Sequence, residues 1–116
     1  MKHFIVTFVL NAPRTEIGSR RSVLHDRHFH TGYELGLFLF YGPLCQADGY
    51  LAIARSESSQ TLNNFLEEDP LVREHLASVA ILEFKPSEFP ETMRGWVNPL
   101  GYGNGLDLDW CPSVFI

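Results

Sequence analysis

Leu37-Phe38-Leu39-Phe40-Tyr41-Gly42-Pro43-Leu44-Cys45-Gln46-Ala47-Asp48-Gly49-Tyr50-Leu51-Ala52-Ile53-Ala54 is the stretch that decides how this chain is read. Residues 37–41 are apolar or aromatic at positions of both parities and stop at the turn pair Gly42-Pro43. Residues 50–54 make a second short run, introduced by Asp48-Gly49. Short β-branched, aromatic or apolar runs bounded by Gly, Pro and Asp are strands, and Asp-Gly marks a turn between neighbouring ones. The stretch therefore predicts a hairpin, with its first strand apolar on both faces.

Working toward the N-terminus, no proline interrupts the chain from about Ser19 to Leu35. There His25, Phe29, Gly32 and Gly36 fall at i, i+4, i+7 and i+11, which is one face of a helix that Gly36 closes. Before it, Phe4-Ile5-Val6-Thr7-Phe8-Val9-Leu10 is another strand apolar on both faces, ended by Asn11-Ala12-Pro13. Toward the C-terminus, Ser56 and Ser58 are N-cap candidates for a helix whose Leu62, Phe65 and Leu66 share a face that Asp69 continues. Pro70 then breaks the helix or starts a new turn with Asp69 as its N-cap, and Val79 to Phe84 gives a fourth strand before Pro86.

The order is β-α-β-β-α-β, the ferredoxin-like α+β pattern: a four-stranded antiparallel sheet with both helices on one face. The first two strands would leave the helix-free face too apolar for a lone subunit. Two such sheets packed face to face, a dimeric α+β barrel, bury that surface, so a homodimer is expected. Residues 1–86 form this domain. Residues 87–116 turn to Pro, Gly and aromatics and read as a C-terminal arm that packs on the core or the partner subunit. Within the arm, Leu106, Leu108 and Trp110 alternate with Asp107 and Asp109 as a short strand would.

At 116 residues the chain holds one domain, with 45% hydrophobic and 20% charged residues as in ordinary globular proteins. A net charge of -5 with nine Lys and Arg repels phosphate backbones, so nucleic acid is not the expected partner. The longest early apolar run is far shorter than a membrane span, and no signal-peptide pattern opens the sequence. Cys45 and Cys111 show no metal or CxxC spacing, which predicts free thiols in a cytoplasmic protein.

The run from His25 to Pro43 resembles the YciI-like (YCII-related) family, whose helix histidine is followed by a glycine eleven residues on and a Gly-Pro pair seventeen on, here Gly36 and Gly42-Pro43. A second signature, Asp-Pro before the last strand, is matched by Asp69-Pro70. The resemblance covers about residues 1 to 86. It implies a dimeric ferredoxin-like barrel with a His-Asp dyad as active centre, here His25 and Asp69. It also implies small-molecule chemistry without metal or organic cofactor, including chloride elimination from a chlorinated hydroxylated aromatic. An arginine often stands three residues before that histidine. Here Arg21 stands four before it, and Asp26 takes a position usually apolar.

A histidine titrating near pH 6.5 takes and returns protons at neutral pH, and a carboxylate on its second nitrogen fixes the tautomer and stabilises the imidazolium. His25 is thus the candidate base and Asp69 its orienter. The plainer readings are a packing histidine on the Phe29 face and a helix N-cap. His28 is expected to line the pocket or to lie in solvent, and His75 to be a surface residue. Phe40 and Tyr41 are expected to wall a cleft between helices and sheet, with Arg21 as an anion contact and the arm as a lid. The HxxHxH series His25, His28 and His30 lacks a completing ligand, so no metal is expected. No serine sits in a G-x-S-x-G elbow, and Gly101, Gly103 and Gly105 lack the strand, helix and Lys of a phosphate loop. The sequence thus points to a cofactor-free lyase (dehydrochlorinase) or isomerase moving a proton on a small cyclic or aromatic metabolite. The competing reading is a non-catalytic metabolite-binding or protein-interaction module.

Overall fold

The computed structural model describes residues 1–99. The short strand and glycines expected beyond Pro99, and Cys111, lie outside the described residues. The elements run β1 (Lys2–Leu10), α1 (Arg14–Ile17), α2 (Ser19–Glu34), β2 (Phe38–Pro43), β3 (Gly49–Ser56), α3 (Ser59–Glu67), α4 (Pro70–Arg73), β4 (Ala77–Phe84) and α5 (Arg94–Val97), with a 3-10 turn at Glu91–Met93. The four strands form one sheet in the order β2-β3-β1-β4, every adjacent pair antiparallel. This is an α+β, ferredoxin-like arrangement. The four-residue α1, between Pro13 and Gly18, was not anticipated, because it is too short to show a hydrophobic period.

Strand alternation sorts the sheet into two faces. Phe4, Val6 and Phe8 of β1 and Ala52 and Ala54 of β3 are buried with Phe29, Leu62 and Leu66 from the helices. Fully burying a Phe or Leu side chain stabilises by roughly 1.5–3 kcal/mol, so these residues supply much of the drive to fold. Small alanines at 52 and 54 leave room for Phe38 and Phe29, whose rings meet 5.3 Å apart. Gly32 brings α2 close to the sheet, since a Cβ there would meet the Phe38 ring at 2.7 Å. Gly36 ends α2 at φ 78, with Leu37 N–H bonded to Gly32 O and Gly36 N–H to Tyr33 O, both at 3.0 Å. That left-handed glycine closure satisfies the last carbonyls of the helix.

The helix-free face is apolar as well. Ile5, Leu51, Ile53 and Leu82 point there, and Leu82 is 64% exposed. Residues 85–97 fold back over one end of this face. Trp96 donates from Nε1 to Gly36 O, and Arg55 donates to the carbonyls of Gly36 and Trp96 while its guanidinium lies 5.2 Å from the Trp96 ring centre. Beneath this strap lies an apolar groove of about 380 Å³ lined by Leu39, Ile53, Phe84, Phe89 and Trp96 among others. His75 is exposed and takes the left-handed turn after α4 at φ 59. Among the described residues, no helix is long and apolar enough to cross a membrane.

Candidate functional site

The helix face predicted from His25, Phe29 and Gly32 is the buried face of α2. It delivers His25 to the end of the sheet where β1 finishes and β3 begins. The His25 ring is packed by Phe29 (4.5 Å between ring centres), Phe8 (4.7 Å) and Tyr50 (4.8 Å) and is 2% exposed. Pro70 holds the other half of the site in place. Fixed at the first position of α4, it leaves Asp69 as the N-cap, and Asp69 Oδ1 accepts the Leu71 N–H at 2.8 Å.

The second carboxylate oxygen faces the imidazole. His25 Nδ1 lies 2.6 Å from Asp69 Oδ2, with Asp69 wholly buried. An ionised carboxylate only accepts, so Nδ1 is the donor of this contact, and in the neutral imidazole the lone pair is then on Nε2. Nε2 is buried and has no hydrogen-bond partner among the described residues. The capping and orienting readings of Asp69 are therefore not alternatives, since each oxygen performs one of them.

His25 forms part of the wall of a cavity of about 90 Å³. Leu10, Ile17 and Leu71 supply its apolar lining, and Arg14, Ser22, Asp26 and Tyr50 its polar lining. Arg14 Nε donates to Asp48 Oδ1 at 3.0 Å, and this hydrogen bond is the main cause of a guanidinium pKa above its ordinary value. Next to the cavity, the Tyr41 hydroxyl has a raised pKa, first through burial and then through the charges of Asp26 and Tyr50. The polar lining of the larger groove under the strap is Lys85, Ser87 and Glu88.

The other expected site residues lie elsewhere. Arg21 is committed to Glu74, with Nη2 2.9 Å from Oε1, and to the Ile17 carbonyl, and it does not line the cavity. His28 turns to α3, where Nε2–H donates to Phe65 O at 2.7 Å and the ring stacks on Phe65. It joins two helices and does not stand beside His25. Phe40 was expected on the cleft side, but a bulge between Phe38 and Phe40 pairs Phe40 with Ile53, on the helix-free face, where it is 56% exposed. Tyr41 does face the helices, edge-on to Phe29 at 5.5 Å. The HxxHxH histidines diverge, His30 pairing with Glu34 at the surface, and among the described residues no three His, Cys, Asp or Glu converge as a metal site.

Arg14, Ser22 and Tyr50 were missed. For Tyr50 a signal existed: it is the one large, polar-tipped residue on a strand face otherwise made of the small residues Ala52, Ala54 and Ser56. Arg14 had none, because α1 itself was invisible.

No protein-family model matches the sequence, and no curated protein matches it. Among solved structures, the chain is similar to 5-chloro-2-hydroxyhydroquinone dehydrochlorinase (TftG) from Burkholderia phenoliruptrix AC1100, in complex with 2,5-dihydroxybenzoquinone. The TM-score is 0.55 at 14% identity, over 74% of this chain and 95% of that one. At this identity the likeness concerns the fold, and it agrees with the ferredoxin-like assignment.

Proposed function

We propose that this chain is a cofactor-free small-molecule enzyme of the YciI-like kind, in which the His25-Asp69 dyad moves a proton on a small cyclic or aromatic substrate. The observation that carries the reading is the 2.6 Å contact between His25 Nδ1 and Asp69 Oδ2, with Nε2 unpartnered among the described residues and His25 in the wall of a cavity. In this reading Nε2 takes a proton from a substrate C–H or O–H while Asp69 holds the Nδ1 proton and stabilises the imidazolium. In an elimination, the C–H electron pair becomes the new π bond and chloride leaves with its own bonding pair. In an isomerisation, Nε2–H returns the proton to another atom. The fold shared with a dehydrochlorinase supports the first form.

A water molecule's share of liquid volume is about 30 Å³, so the cavity admits one edge of a ring and not a whole one. The remainder of the substrate would lie over the exposed mouth near Arg14 and Asp26. A homodimer belongs to this proposal, supported by exposed Phe40, Val9 and Leu82.

The test is chloride release from 5-chloro-2-hydroxyhydroquinone and related hydroxylated aromatics, compared between the native chain and His25→Ala. Turnover is expected to fall by about 10²-fold or more, with an unchanged far-ultraviolet circular dichroism spectrum. Equal rates in the two proteins would remove the dyad from catalysis. Solution mass at low concentration tests the dimer, and a stable monomer contradicts it.

A further inference from the structure

We propose that Arg14 is the specificity residue of the His25 cavity, selecting small substrates that carry a carboxylate or that form an oxyanion as the proton leaves. This rests on the proton-transfer reading of His25. Among the described residues Arg14 is the only Arg or Lys in the cavity wall, where the other polar side chains are Ser22, His25, Asp26 and Tyr50. Arg21 is engaged with Glu74 and is not part of the cavity wall.

The charge balance of the step requires such a cation. Before reaction the dyad carries the charge of Asp69, and Asp26 adds a second carboxylate nearby. When Nε2 takes a proton the dyad becomes an ion pair of zero net charge, and the negative charge moves onto the substrate. An oxyanion formed next to Asp26 is disfavoured unless a positive group faces it. Arg14 is placed for this and, with Nε on Asp48 at 3.0 Å and a further interaction with Tyr50, still has donors for a ligand among the five N–H groups of its guanidinium. Both partners of that ion pair are more than half exposed. Exposed pairs of this kind contribute little, so Asp48 yields readily to a ligand oxyanion that two guanidinium N–H groups grip together. The substrate class is therefore a small molecule whose acidic hydrogen lies next to a carbonyl or phenolic oxygen.

The plain alternative is that Arg14 only anchors the turn before β3 through Asp48, a turn that Leu10 N–H also holds through the Asp48 carbonyl at 2.8 Å. The two roles separate in a calorimetric titration of the full chain with benzoate and with its neutral isostere benzamide. The expected result is that the native chain prefers benzoate and that Arg14→Gln loses about tenfold or more in benzoate affinity while benzamide is unaffected. Arg14→Lys is expected to keep part of the preference, and Asp48→Ala to keep all of it. The proposal is overturned if the native chain shows no preference for benzoate, if the preference persists in Arg14→Gln, or if Asp48→Ala loses it to the same extent. Turnover of His25→Ala is measured separately. Normal turnover there sinks the proton-transfer reading, whereas an unaltered benzoate preference in Arg14→Gln sinks only the role of Arg14.

Discussion

His25 and His3 lie on opposite sides of the same sheet, and each is a buried histidine whose Nε2 has no partner among the described residues. Their surroundings differ. His25 has a carboxylate on Nδ1 and three aromatic rings around it. His3, on the helix-free face, packs against Trp96 at 5.5 Å and Phe84 at 6.4 Å. Its pKa lies below the ordinary histidine value, chiefly because burial disfavours the charged form; the Val97 backbone opposes that shift, and the N-terminal ammonium, Arg55 and Lys85 add to it. Burial alone therefore makes a histidine reluctant to accept a proton. A buried carboxylate supplies what burial removes, a place for the imidazolium charge to rest, and it also decides which nitrogen is free.

The largest effect expected from breaking this contrast is at Asp69. Asp69→Ala removes the α4 cap and strands the Nδ1–H of His25, and urea unfolding should show a loss of about 3 kcal/mol. Asp69→Asn is the sharper variant. Its carbonyl can keep the cap, so the loss should be about 1 kcal/mol, but its amide donates to Nδ1 and drives the ring proton to Nε2. Nitrogen-15 shifts of the imidazole would report the exchanged tautomer, and an unchanged spectrum would contradict the orienting role.

At His3 the effect is smaller and depends on pH. The unfolded chain protonates near pH 6.5 while the folded chain resists, so stability falls as pH drops through that value and toward the lower folded pKa. His3→Phe should unfold much like the native chain at pH 7.5 and exceed it by about 1 kcal/mol at pH 5. Equal pH slopes in the two proteins would show that the strap end does not sense the charge. The smallest effect belongs to His30, which has a carboxylate partner without burial: Nε2 is 3.2 Å from Glu34 Oε1, and both side chains are more than 60% exposed. His30→Gln should change stability by no more than about 0.5 kcal/mol, and a larger loss would mean that the carboxylate acts without desolvation.

Much of this arrangement was legible in the sequence because it rests on local rules. Two-faced apolar strands, the Gly36 stop and the Asp69-Pro70 cap are each set by neighbours in the chain, and they give the element order directly. His25 could be placed on a buried helix face for the same reason. What stayed hidden depends on register or on distant partners. The single extra residue between Phe38 and Phe40 moves Phe40 to the other face, and no periodicity announces a bulge. His28 faces α3 because Phe65 O lies there, and Arg21 faces Glu74, a residue 53 positions away. Arg14 enters the cavity on a helix of four residues, below the length at which a pattern exists.

The divided duty of Asp69 sets what this scaffold can shed. An imidazole at 25 can be exchanged with the helix end still held, at the cost of a buried Oδ2 left without its donor, whereas position 69 must keep a capping oxygen, Asp or Asn, for the Leu71 N–H. Under the proposed proton-transfer reading, a descendant of this chain retooled for binding alone would thus keep a capping side chain at 69 and could change the residue at 25 only with a new partner for that buried oxygen. For the proposed activity an intact Asp69 is accordingly a poor marker, and the residue at 25 is the informative one.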